Sequence, residues 1–71
     1  MSGRPEKHSL TLNGHRTSVS LEAAFWVAFR EMAGARGVTL NALAAEIDAG
    51  RGDVGLASAI RVEVLRALRA G

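Results

Sequence analysis

"HRTSVSLEAAFW", residues 15–26, changes its period halfway through. Up to Leu21 the chain alternates. Val19 and Leu21 point one way, and Arg16, Ser18 and Ser20 the other, as on a half-buried strand. After Glu22, Phe25, Trp26 and Phe29 follow at helical spacing. A short strand therefore runs straight into a helix. The outward side of that strand carries one Arg and two Ser and no apolar residue.

Upstream, Leu10 and Leu12 also alternate with polar residues, but with the opposite parity to Val19 and Leu21. Asn13-Gly14 lies between the two pairs and is a strong type I′ turn signal. A two-residue hairpin would pair Leu12 with His15 and Leu10 with Thr17. That places Leu10, Leu12, Val19 and Leu21 on one face. The alternative is a bulge or bend at Gly14 that leaves the first segment loose. Residues 1–8 are polar, contain the only Pro, and are expected as a flexible basic arm ahead of a domain over 9–69.

Downstream, the pattern predicts three helical segments. The first spans about Glu22 to Arg36, with Phe25, Phe29, Met32 and Ala33 as its stripe and Gly37 as its stop. Glu22 suits the positive end of that helix. The second is N-capped by Thr39 and runs to about Ala49 through Leu40, Leu43, Ala44 and Ile47. "AGRGDVG", residues 49–55, holds three Gly and reads as a loop. The third runs from about Leu56 to Arg69, with Leu56, Ile60, Val64 and Leu68 spaced by four.

The whole chain sets limits on this reading. Its 71 residues suffice for one small domain. A monomer of this size buries only roughly 60% of its unfolded surface, so a staple is expected. There is no Cys, and the two His fall in no ligand-like cluster. A second copy of the chain is the remaining staple, so a homodimer is expected. Nine Lys+Arg stand against seven Asp+Glu, with a pI near 10.5. That balance permits an anionic partner. No signal-peptide pattern and no run of ~18 apolar residues is visible, so a cytoplasmic protein without a membrane span is expected. No nucleophile–base pair or metal set points to an enzyme, and no cofactor is expected.

The order of strand, helix, tight Gly turn and Thr-capped helix resembles the ribbon-helix-helix family of DNA-binding proteins, the MetJ/Arc type. "RTSVSLEAAFWVAFREMAGARGVTLNALAAEI", residues 16–47, carries that resemblance. A closer one is to a bacterial subfamily of small ribbon-helix-helix domain proteins, through "GHRTSVSLE", "FW", "GVTLNALAAEID" and "LASAIRVEVL". The implied fold is mainly α with a short N-terminal β element, assembled as an intertwined homodimer. Strands from two chains would pair into a ribbon that enters the major groove of double-stranded DNA. Arg16, Ser18 and Ser20 would then contact bases. Thr39, Leu40 and Asn41 at the start of the second helix would hold a backbone phosphate. Arg4, Lys7 and His15 could add phosphate contacts. Val19, Leu21, Phe25, Trp26, Phe29, Leu43, Ile47, Ile60 and Val64 would form the core of the dimer. A true hairpin would widen the ribbon to four strands per dimer, and the break at 50–55 adds a third helical segment.

The function implied is sequence-specific DNA binding by a transcriptional regulator. The rival reading is a dimeric protein-interaction or antitoxin-like module.

Overall fold

The computed structural model describes residues 3–70. In chain order it contains β1 (Pro5–Leu12), β2 (His15–Glu22), α1 (Ala23–Arg36), α2 (Leu40–Gly50) and α3 (Leu56–Ala70). The mainly α fold with an N-terminal β element is therefore present.

β1 and β2 form one antiparallel hairpin, with Leu12 opposite His15, Leu10 opposite Thr17 and His8 opposite Val19. Asn13 and Gly14 have φ of 52° and 83°. Two consecutive positive φ values are what a type I′ turn requires, and its twist matches the strands it joins. The hairpin alternative is the one the chain adopts. β1 is longer than the alternation of Leu10 and Leu12 suggests. Residues 5–8, expected within a flexible arm, are paired strand. Met1 and Ser2, the rest of that arm apart from Gly3 and Arg4, lie outside the described residues.

Each helix boundary has a local cause. α1 follows β2 with no intervening loop. It ends where Gly37 takes φ 70°. There the Gly37 N–H donates to the Gly34 carbonyl and the Val38 N–H to the Ala33 carbonyl, both at 3.1 Å. This pair of bonds is a Schellman motif and satisfies two carbonyls that the helix end leaves open. α2 begins as Thr39 Oγ1 accepts the Ala42 N–H at 3.0 Å, the expected N-cap. The loop between α2 and α3 is tied down by Arg51. Its Nε donates to Asp48 Oδ1 at 2.6 Å and its Nη1 to the Val54 carbonyl at 2.7 Å.

The core lies between the hairpin and the helices. α2 packs under β1, while α1 and α3 pack under β2. Leu10, Leu12, Val19 and Leu21 come down from the hairpin onto Phe29, Met32, Ala33, Leu43, Ala44, Ile47, Ile60 and Val64. The nine residues expected to form a core shared between two chains pack within one. Seven of them are buried, and Phe25 and Trp26 are half-buried against the same cluster. Trp26 stacks on His8 of β1, with ring centroids 3.8 Å apart and planes within 3°. Leu68 departs from the expected stripe: Ile60 and Val64 are buried, but Leu68 is 69% exposed.

Candidate nucleic-acid interface

The hairpin has two unlike faces. Strand parity and the observed register put Leu10, Leu12, Val19 and Leu21 against the helices. The same register sends Lys7, Ser9, Thr11, Arg16, Ser18 and Ser20 to the opposite face, where all six are exposed. They form three facing pairs: Lys7 with Ser20, Ser9 with Ser18, and Thr11 with Arg16. None of these six side chains bonds to another described residue. The surface is polar and basic, and offers donors and acceptors at every second position of both strands.

The six residues include three that sequence reasoning did not place on this face. Lys7 was expected in the arm as a phosphate contact; it lies within β1, directly opposite Ser20. Ser9 and Thr11 were not singled out, although a turn at Asn13-Gly14 implies their parity. His15 sits exposed beside the turn, on the same parity as Leu12's partner position and away from the six. Arg4 is exposed just before β1.

The start of α2 stands next to this surface. The Thr11 N–H, on the outer edge of β1, donates to Asn41 Oδ1 at 3.0 Å. Asn41 therefore fastens the first turn of α2 to the ribbon. Thr39 and Asn41 are exposed, and Leu40 is half-buried and packs on the core. The N–H groups of a first helical turn have no partner inside the helix, and the dipole there is positive. Thr39 Oγ1 accepts from Ala42 and keeps its own proton to donate outward. Ribbon face and helix start are thus held in one fixed relation.

A second anchor lies at the other edge. Arg61 of α3 reaches Glu22 at the β2–α1 joint, with Nη2 2.9 Å from Oε1. The same guanidinium donates to the Ser20 carbonyl at 3.4 Å and lies 5.7 Å from the centre of the Phe25 ring. A backbone hydrogen bond at Glu22, and after it the bond from Arg61, hold the Glu22 carboxyl below its ordinary 4.5. This pair spans 39 positions in the chain, and no local pattern announces it.

Among the described residues no group of three or more His, Cys, Asp or Glu could hold a metal ion. No helix there is long and apolar enough to cross a membrane.

A family model described as a ribbon-helix-helix domain matches residues 5–68. The chain belongs to this ribbon-helix-helix family, whose fold is that of DNA-binding regulators. The match takes in both strands and nearly all of α3, so the first strand and the third helix are part of the domain. Comparison with curated proteins and with solved structures gives no significant match.

Proposed function

We propose that the protein is a sequence-specific DNA-binding transcriptional regulator that reads the major groove with the outer face of its hairpin. One observation carries this reading: the exposed polar face and the α2 N-terminus are fastened side by side through Thr11 and Asn41. A two-stranded ribbon is narrow enough to enter the major groove, and Arg can grip guanine with two hydrogen bonds. Arg16 therefore carries most of the base selectivity, and Ser18 and Ser20 add less selective contacts. Thr39, Leu40 and Asn41 hold a phosphate beside the groove and set the register of the ribbon. Arg4 and His15 flank the surface and add phosphate contacts.

A second copy of the chain belongs to the same reading, as does a place in the bacterial cytoplasm, where the DNA is. Val62, Leu65 and Leu68 are 47%, 53% and 69% exposed along α3. A twofold-related copy would cover that apolar strip. The strip also favours the rival reading, a protein-interaction module, since exposed apolar patches mark contact surfaces.

The deciding experiment selects the purified protein against a random duplex DNA library at two salt concentrations. An enriched motif, with affinity falling steeply as salt rises, is the expected result. Retention without enrichment would reduce the activity to backbone binding. No retention at low salt would sink the DNA reading and leave the interaction module.

A further inference from the structure

The two outer edges of the hairpin are unlike. In an antiparallel ladder, facing residues alternate. One pair exchanges both hydrogen bonds, and the next turns its N–H and C=O groups away from the partner strand. The Thr11 N–H goes to Asn41, so Thr11 and Arg16 are a pair of the second kind. By alternation so are Ser9 with Ser18, Lys7 with Ser20 and Pro5 with Glu22. On β1 this outer edge is blunted near both ends. Pro5 has no N–H to offer, as suits an edge strand, and the Thr11 N–H is taken by a side chain of α2. On β2 the edge is open. Arg16, Ser18 and Ser20 turn their N–H and C=O groups to it. Among the described residues only the Ser20 carbonyl of that row is bonded, to Arg61 at 3.4 Å.

An edge with unpaired N–H and C=O groups is a template for a strand of another chain. A second copy can meet it with the same edge, because a twofold interface sets one patch against itself. The sheet then has four strands, with two β2 at its centre and one β1 on each side. Neighbouring strands lie about 4.8 Å apart, which sets the two β1 strands about 14 Å from each other. The major groove is about 12 Å wide. The central pair fits between its walls, and each β1 comes to lie over a wall, where the phosphates run.

We propose that β1 is a phosphate-contacting strand. Lys7, Ser9 and Thr11 hold the backbone on either side of the groove that Arg16, Ser18 and Ser20 read. This rests on the DNA-binding reading above and gives the β1 half of the exposed face its own ligand. The residue types suit that ligand. Lys7 is the one Lys of the chain, a compact charge with three donors. Ser and Thr hydroxyls commonly donate to phosphate oxygens. The position agrees as well. Asn41 ties the start of α2 to β1 and not to β2, so both phosphate contacts fall on the same side of the hairpin.

The test titrates the full chain with a selected duplex and with a scrambled one, over a series of salt concentrations. Lys7→Ala is expected to weaken binding by the same factor on both duplexes. It should also lower the salt slope by about 2 per dimer, for one phosphate per chain. Ser9→Ala and Thr11→Ala are expected to weaken both duplexes equally with the slope unchanged, since a neutral hydroxyl releases no counterion. Thr11→Ala keeps the backbone N–H that Asn41 holds. Arg16→Ala is expected to narrow the difference between the two duplexes. A changed base preference in Lys7→Ala or Thr11→Ala would make β1 a reading strand and overturn the proposal. Unchanged affinity and slope in all three β1 variants would place β1 off the DNA and overturn it too. In both cases binding by the unmodified protein leaves the DNA reading standing. Failure of the unmodified protein to bind any duplex would overturn that reading and the role of β1 together.

Discussion

The two faces of the hairpin are built from the same sixteen strand residues and do opposite jobs. Ser20 and Leu21 are neighbours in sequence, yet Leu21 is fully buried and Ser20 is exposed. On the inner face, each apolar side chain meets a helix. On the outer face, six polar side chains make no hydrogen bond or ion pair to another described residue. A residue that stabilises nothing and yet recurs at every second position of both strands is available for a partner. The contrast separates positions that hold the fold from positions that can use it, and each can be changed without the other.

Substitutions along the hairpin can break that contrast or sharpen it. The largest effect belongs to the inner face. Leu21→Ala is expected to cost about 2–5 kcal/mol of stability, because it leaves a cavity in a fully packed site. Chemical denaturation reads this, and a loss below about 1 kcal/mol would mean that the hairpin is only loosely seated. Next comes the outer face. Arg16→Ala is expected to weaken binding to a selected duplex by about 1–3 kcal/mol, in a titration at fixed salt. Its denaturation midpoint should not move. Equal loss on every sequence would make Arg16 a phosphate contact.

The helix start comes third and lies between the two roles. Thr39→Ala removes the bond to the Ala42 N–H and is expected to cost about 1 kcal/mol of stability. If Thr39 also holds phosphate, its loss of DNA affinity should be similar on all sequences. Ser18→Ala should be the quietest in the denaturation experiment, within about 0.5 kcal/mol of the parent, as for exposed positions without structural partners.

One further effect shows as a direction in pH. The Glu22 carboxyl is held below its ordinary 4.5 by its backbone hydrogen bond and by Arg61. A carboxylate with a lowered folded value stabilises the fold above the unfolded value. That contribution fades as pH falls from about 4.5 through the folded value. Stability measured against pH should therefore decline on the acid side, and Glu22→Gln should flatten that limb. An unchanged limb would mean that other carboxylates cause the decline.

Much of this was legible in the chain because it depends on near neighbours. Asn13-Gly14 announced the turn and Gly37 the end of α1, since both need positive φ. Thr39 announced the cap. The first half of β1 was harder to read. Its inward positions hold Glu6 and His8 where Leu10 and Leu12 stand later, so the apolar alternation fades and the segment resembles an arm. His8 is inward because Trp26 of α1 offers a flat ring to stack on, a contact that no local pattern encodes. Leu68 failed in the opposite way. Its spacing fits the buried stripe of α3, but among the described residues it stays 69% exposed.

The sequence by itself determined β2, the three helical segments, the turn signal and the parity of Leu10, Leu12 and residues 16–21, because local sterics and a two-residue period settle those. Tertiary structure decided what each edge and each charge is bonded to. Asn41 reached Thr11 across 30 positions, and Arg61 reached Glu22 across 39. Only the packing of α2 and α3 under the hairpin brings those groups within hydrogen-bond distance. The same packing seats the hairpin on the helices of its own chain.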